Sequence, residues 1–411
     1  MEFSPSNTAP VPGVPLFGYD PTSAEANANP APIYAQMRRN RLCFWPGPDF
    51  YVVSRMADAK AVLKDPRLTP DPRAAGLPAP EAMMPESLRG PIEGSFQRLG
   101  AEDHARVRRA VAPAFAPAAI AKLRPAIQAI IDEAFEQHTH EGVLDGRAFA
   151  EHIPVRAIAA MMDVPMDEHE AFFEFANNLS MLHDPAMTPE RFATVAPVVV
   201  AGLARIEALV AARREQLGDD LLSTLLRAEA QGDGLSNNEL LGLVAMLING
   251  GILTTTHFFT FVFKDLLCVP EREAAIRAQR ELIPTALEEL LRHDSFGKSG
   301  TLRYLTEDAE VAGVELPRGS RVMVFFPAVY LDEEAFEDAA RFDPARKPKD
   351  NLGYGYGRHF CTGAALARLE SEVFVHTALD RFAGFELAEP VAFGPSPVVR
   401  DIVTLRVRTR S

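Results

Sequence analysis

One segment constrains the fold more than any other: residues 240–263 contain no Asp, Glu, Lys or Arg. A run of that length could cross a bilayer. We reject that interpretation because Asn249, Gly250 and several hydroxyl residues lie in its middle, where they are poorly suited to contact with lipid. Ser236 and Glu239 also stand in the capping-box spacing that often begins water-soluble helices. The segment therefore predicts a long helix that is buried on all sides in a large protein.

The bulk composition excludes several classes of function. With 411 residues, of which 47% are hydrophobic, the chain can bury a large core. We predict an irregular arm over residues 1–20, followed by a single domain over residues 21–411. The net charge of −14 argues against nucleic acid or a membrane surface as a partner. Three widely spaced cysteines and the absence of a signal-like N-terminus indicate a cytoplasmic protein.

The hydrophobic pattern is mainly helical with a minor β part. A strand and a short helix are predicted near residues 49–66, and a Pro- and Gly-rich irregular loop is predicted over residues 72–100. Short strands are expected around 301–325 and 398–408. Helices are predicted at 103–112, 117–137, 147–162, 166–182, 189–216, 219–230, 236–268 and 270–293, with a break near residue 283.

The stretch GYGYGRHFCTGAALARLE, residues 353–370, places Cys361 behind a glycine-rich turn and before a helix. A helix N-terminus favours the thiolate, which is the form of cysteine that binds metals. The glycines let the backbone approach a flat partner closely. A lone cysteine cannot build a zinc site, so this pattern indicates a metal that needs one protein ligand, such as haem iron.

The pattern Tyr354-Gly355-x-Gly357-x-His359-x-Cys361-x-Gly363 resembles the haem-binding signature of the cytochrome P450 monooxygenases, although the family usually has Phe in place of Tyr354. The resemblance extends over about residues 35–410. It implies a mainly α fold with a minor β part, in which haem b (iron protoporphyrin IX) lies between a long central helix and the cysteine-bearing helix. Cys361 is then the iron ligand.

Further motifs match the family in the expected order, and each has a plain alternative when taken alone. An acid and a base three residues apart on a helix usually form a solvated salt bridge. Two adjacent glycines inside a helix cost about 1 kcal/mol each and often serve only helix packing. The resemblance implies haem contacts for His104, Arg108, Gly250, Gly251, Arg303, Tyr354, Gly355, His359, Cys361 and Gly363, a structural network of Glu289, Arg292 and Arg346, and a catalytic role for Thr254, with Thr255 beside it.

One departure from the family concerns proton delivery. The residue before the family's threonine is normally Asp or Glu, whereas this chain has Leu253, which cannot act as a general acid. Thr255, Thr256, a substrate group or ordered water could replace it. The departure keeps two alternatives open, namely a peroxide-using or oxidative-coupling haem-thiolate enzyme and a haem-binding sensor or carrier. A helical interaction protein without haem is the remaining alternative.

The resemblance also implies a substrate pocket and external electron donors. The leading function is hydroxylation, epoxidation or dealkylation of a hydrophobic small molecule in secondary metabolism, by a monomer that uses ferredoxin and ferredoxin reductase.

A basic patch of Arg106, Arg109, Lys122 and Arg124 is predicted to bind an acidic ferredoxin. Lys298 suggests a substrate with a carboxylate. The predicted pocket residues are Met83, Met84, Phe172, Phe175, Leu253, Phe296, Lys298, Ile402 and Val403.

Overall fold

The computed structural model describes residues 10–78, 84–165, 168–182, 188–230, 234–347 and 352–410. The helices are α1 (Ala24–Ala28), α2 (Ala31–Arg38), α3 (Met56–Lys64), α4 (Glu86–Glu93), α5 (Ala101–Val111), α6 (Pro117–Ala121), α7 (Arg124–His138), α8 (Gly146–Met162), α9 (His169–Met181), α10 (Pro189–Glu215), α11 (Leu221–Ala230), α12 (Asn237–Phe261), α13 (Pro270–Ala278), α14 (Ile283–His293), α15 (Phe326–Val329) and α16 (Ala364–Arg381). The strands are β1 (Leu42–Trp45), β2 (Phe50–Val53), β3 (Leu68–Thr69), β4 (Thr139–His140), β5 (Val143–Asp145), β6 (Thr301–Leu305), β7 (Ala309–Val311), β8 (Val314–Leu316), β9 (Arg321–Val324), β10 (Gly384–Leu387), β11 (Ala392–Phe393), β12 (Ile402–Thr404) and β13 (Arg406–Arg410).

The chain forms two compact units. Unit 1 comprises Met1–Ala79, Glu288–Cys361 and Phe393–Asp401, and unit 2 comprises Pro80–Leu287, Thr362–Ala392 and Ile402–Ser411. The described residues are mostly helical with small sheets, which confirms the predicted mainly α class with a minor β part. The single domain predicted over residues 21–411 stays a prediction.

Unit 1 is built on a five-stranded sheet in the order β1-β2-β9-β6-β3. Because successive side chains of a strand point to opposite faces, β2 contributes Tyr51 and Val53 to one core and Phe50 and Val52 to the other. Both faces of the sheet are therefore covered. The described part of the predicted N-terminal arm, residues 10–20, is irregular, but it is attached to this sheet, since Leu16 forms a parallel bridge with Phe44 of β1.

Unit 2 is a helical body around α12, which packs against α4, α8 and α9. Helix α12 begins with the predicted capping box, in which Ser236 and Glu239 each accept a hydrogen bond from the other's backbone. It ends at Phe261 and continues as a π-helical turn, Val262–Leu267, so the helix predicted to residue 268 ends in a different hydrogen-bond pattern. A four-stranded sheet, β10-β13-β5-β4, completes the unit.

Two parts of unit 2 differ from the sequence prediction. The region predicted as an irregular loop contains α4, and the helix predicted over 117–137 is divided into α6 and α7. Helix α4 includes Pro91 and Gly90, which are unfavourable in isolated helices. Packing explains its presence: a methyl group added at Gly94 would lie 2.7 Å from the backbone of Asn238, so α4 fits directly against the start of α12.

Candidate active site

Cys361 ends a turn whose backbone favours glycine at two positions. Gly355 has φ +79° and Gly357 has φ +64°, both in the left-handed region. The backbone N–H of Cys361 donates to the carbonyl of Tyr354 at 2.7 Å, which closes the turn, and α16 begins three residues later. The thiol-bearing residue is exposed. The predicted residues 354–363 thus form one loop that presents a sulfur atom outward.

Arg303 supplies a buried positive charge in the same unit. Its side chain donates to the Thr301 hydroxyl at 2.6 Å and to the Leu302 carbonyl at 2.8 Å. Burial and the neighbouring Arg358 guanidinium lower the pKa of Arg303 to about 10. Within the described part of the chain, no carboxylate forms an ion pair with Arg303. Such a cation is suited to binding an anionic group that the chain itself does not provide.

The predicted structural network is complete within unit 1. Arg292 donates to both carboxylate oxygens of Glu289, at 2.8 and 2.7 Å, and both side chains are 1% exposed. Arg292 also donates to the carbonyls of Tyr330 and Ala339. Arg346 reaches Glu289 at 3.0 Å. This pair is therefore not the solvated salt bridge that its spacing alone would suggest.

In unit 2, α12 is buried along most of its length, and its middle has one open strip. Gly250 and Thr254 are exposed, Met246 and Asn249 are half-buried, and the spacing of three to four residues puts them on one face. A methyl group added at Gly250 would meet no atom within 4 Å, whereas one added at Gly251 would lie 2.5 Å from Ile158. Gly250 therefore borders open space, and Gly251 permits close packing with α8.

The two predicted catalytic threonines occupy different surroundings. The hydroxyl of Thr254 donates to the Gly250 carbonyl at 2.5 Å, so its oxygen can accept a hydrogen bond on the open strip. Thr255 is 5% exposed and lies off that strip. Leu253 is also buried. The structure does not support Thr255 as a group that contacts substrate, so we keep the catalytic proposal for Thr254.

His104 and Arg108 share one face of α5. His104 is 1% exposed and stacks on Phe96 with ring centroids 4.2 Å apart, and the guanidinium of Arg108 lies 5.9 Å from the same ring. One aromatic ring therefore supports both side chains. Sequence reasoning missed Phe96 because it lies in the segment predicted to be irregular.

Lys298 is a correction to the predicted pocket. Its side chain is fully buried in unit 1, and its ammonium donates to the Ser396 carbonyl at 2.7 Å. Burial lowers its pKa to about 8. The structure gives this lysine a backbone partner, so a role in binding a substrate carboxylate is not supported.

The other predicted pocket residues have mixed locations. Phe175 is 1% exposed and packs directly against Gly202 of α10, and its place in the pocket stays a prediction. Ile402 is fully buried and Val403 is 46% exposed. Met84 and Phe296 are half-buried and Phe172 is buried in α9, while Met83 lies outside the described residues.

The predicted basic patch is smaller than expected. Arg106 forms ion pairs with Asp103 and Glu239, which neutralise its charge. Arg109, Lys122 and Arg124 are exposed, and Arg124 lies 3.8 Å from Glu372.

The chemistry of Cys361 and Arg303 in unit 1 fits the binding of an iron porphyrin. The exposed thiol of Cys361 can bind the metal, and the buried Arg303, which lacks a carboxylate partner within the described residues, can hold a propionate.

Comparisons with known proteins agree with this assignment. Residues 86–391 match the family model described as Cytochrome P450. The chain is 33% identical over 399 residues to the epothilone C/D epoxidase of Sorangium cellulosum, covering 96% of this chain and 95% of the relative. It is 31% identical over 373 residues to the 6-deoxyerythronolide B hydroxylase of Saccharopolyspora erythraea, covering 88% and 91%. The solved structure of epothilone B-bound Cytochrome P450epoK has a TM-score of 0.90 at 31% identity, covering 96% of this chain and 100% of that chain.

Proposed function

This chain belongs to the cytochrome P450 family, with its fold and monooxygenase activity, and we propose that it hydroxylates, epoxidises or dealkylates a hydrophobic small molecule. The two relatives described above are named as an epoxidase and a hydroxylase of the compounds in their names, and both are bacterial. By analogy, we place the protein in the bacterial cytoplasm and in secondary metabolism. The observation that carries the proposal is the exposed Cys361, held by the Gly355–Gly357 turn.

Haem b supplies the oxygen-activating chemistry when it is bound. Cys361 would hold the iron, and Arg303, His359, His104 and Arg108 would hold the propionates. Thr254 already donates to the Gly250 carbonyl, so its oxygen is left to accept a hydrogen bond and to hold a water molecule on the open strip. Leu253 can exclude water but cannot deliver a proton.

We further propose that the electrons come from a ferredoxin and its reductase. Arg109 and Lys122 are exposed basic residues on a chain of net charge −14, and they would attract an acidic partner. The substitution Arg109→Glu should slow reduction by ferredoxin and weaken its dependence on salt. An unchanged rate and salt dependence would remove this part of the proposal.

Leu253 favours a second candidate within the same class, which is a peroxide-using or oxidative-coupling enzyme. The purified ferric protein should show a Soret band that is altered in Cys361→Ser. Product formation should then be compared with ferredoxin and reductase, and with hydrogen peroxide alone. Turnover only with ferredoxin supports the monooxygenase reaction, and efficient turnover with peroxide alone supports the second candidate. A protein without any Soret band contradicts both.

A further inference from the structure

Asn249 is the only Asn or Gln among residues 240–263, and the structure uses only one side of its amide. Its Nδ2 donates to the backbone carbonyl of Ala176 in α9 at 2.7 Å. A carbonyl oxygen can only accept, so this contact determines which end of the amide is nitrogen. Oδ1 therefore faces away from Ala176, and no described residue donates to it.

The position of Asn249 on α12 places this acceptor beside the open strip. Asn249 is half-buried, directly precedes the exposed Gly250 and is three residues after the half-buried Met246. On its other flank, Ile248 is 1% exposed. Space remains at the strip, because a methyl group added at Gly250 would meet no atom within 4 Å. The half-buried amide of Asn249 thus lies next to the open strip of α12.

We propose that Asn249 is a specificity-determining residue, whose Oδ1 accepts a hydrogen bond from a hydroxyl or N–H group of the substrate. This inference rests on the proposed function, since a substrate that reacts beside Thr254 would lie along the open strip. An acceptor in an apolar site favours a ligand that donates to it and disfavours one that leaves it unpaired. The tie to Ala176 keeps the amide from rotating, so the acceptor is oriented before the ligand arrives.

A purely structural role makes a different prediction. If Asn249 served only to attach α12 to α9, the donor Nδ2 would matter and the acceptor Oδ1 would not. Replacement by Asp keeps an acceptor oxygen and removes the donor, whereas replacement by Leu keeps the size and removes both. The pair of variants therefore separates the two roles.

The test uses phenylimidazoles, which bind haem iron and shift the Soret band. The ortho, meta and para hydroxyphenyl isomers are each compared with their methyl ethers, which cannot donate. We expect at least one isomer to bind the wild-type protein about 5- to 10-fold more tightly as the hydroxyl compound. Asn249→Leu should abolish that preference with little effect on unsubstituted phenylimidazole, and Asn249→Asp, which keeps an acceptor but loses the bond to Ala176, should retain part of it.

The control is Asn178→Leu, because the Asn178 side chain also donates to a helix carbonyl, that of Glu174 at 2.8 Å, but lies within α9. This variant should keep the hydroxyl preference. Thermal unfolding of each variant shows whether it folds, and Asn249→Ala replaces Asn249→Leu if the latter does not. The inference is overturned if no isomer shows a preference, or if Asn249→Asp loses it as fully as Asn249→Leu. A wild-type protein without a Soret band would instead overturn the proposed function.

Discussion

Two of the buried arginines in unit 1, Arg292 and Arg303, have surroundings that differ in one respect. Arg292 is 2% exposed and Arg303 is 5% exposed, so burial alone does not distinguish them. Arg292 is paired with the buried carboxylate of Glu289, whereas Arg303 has only neutral oxygen partners and the like charge of Arg358 nearby. A buried charge is costly unless it is paired. We therefore expect the first arginine to stabilise the architecture and the second to bind an anionic ligand.

The largest effect is expected from breaking the paired charge. Glu289→Gln leaves the Arg292 cation buried without its counter-charge, and it replaces one of the two oxygens that accept from Arg292 with an N–H donor. We expect a loss of about 3–5 kcal/mol of stability, measured by thermal or urea unfolding of the holoprotein. The control is Arg341→Ala, because Arg341 forms long, exposed contacts of 3.8 and 3.6 Å with Asp338 and Asp343 and should change stability by less than about 1 kcal/mol. Equal effects of the two substitutions would contradict the comparison.

The next largest effect is expected from removing the charge of Arg303. Arg303→Met removes a buried cation that no described carboxylate neutralises, so the haem-free protein should unfold at the same temperature or higher. Haem affinity should fall about 10- to 100-fold, because a charge-assisted hydrogen bond is lost. Haem titration measures the affinity, and Arg303→Lys should retain most of it. A variant that binds haem normally but folds less stably would assign Arg303 a structural role instead.

The elements that follow from local pattern could be predicted from the sequence. Helix α12 and its capping box come from a charge-free run with a defined start, and α10 was predicted to within one residue at its end. Helix α4 could not be predicted in this way, since Gly90 and Pro91 argue against a helix locally. Its stability comes from contact with α12, which only the tertiary structure shows.

The same distinction applies to the candidate site. The spacing of Glu289 and Arg292 was sufficient to suggest their network once a family resemblance had been recognised. The partner of Lys298 could not be predicted from the sequence. Ser396 is far away in the chain and offers a backbone carbonyl, which no side-chain pattern reveals. Asn249 carried a usable signal, as the single amide in an apolar helix, but the role of its oxygen depends on the position of Ala176.

A smaller effect is expected at Glu370, a buried acid without a counter-charge in unit 2. Its side chain is 1% exposed, its Oε1 has no hydrogen-bond partner within the described structure, and burial raises its pKa to about 8. The folded protein keeps this proton up to about pH 8, whereas the unfolded chain loses it near 4.5. The stability of the wild-type protein should therefore fall as the pH rises from 4.5 to 8.

Glu370→Gln cannot titrate, so it should gain stability relative to the wild type over that interval, by about 1–3 kcal/mol at pH 8. Thermal unfolding of both proteins between pH 5.5 and 8.5 measures the difference. Glu372→Gln, two residues along α16 and 29% exposed, should show no such trend. A difference for Glu370→Gln that does not change with pH would show that the carboxyl is not protonated in the folded protein.

The smallest effect is expected at Lys298, another buried cation of unit 1, which like Arg303 donates to a backbone carbonyl. Burial lowers its pKa to about 8 from 10.5. The unfolded chain therefore holds more protons than the folded one between these values, and the stability of the wild-type protein should rise with pH from 8 to 10.5. Lys298→Met should lack about 1 kcal/mol of that rise, and the exposed Lys122→Met should keep it. If the stability of Lys298→Met rises with pH as much as that of the wild type, the folded protein keeps the Lys298 ammonium charged. The surroundings of Lys298 would then compensate its charge fully, as Glu289 does for Arg292.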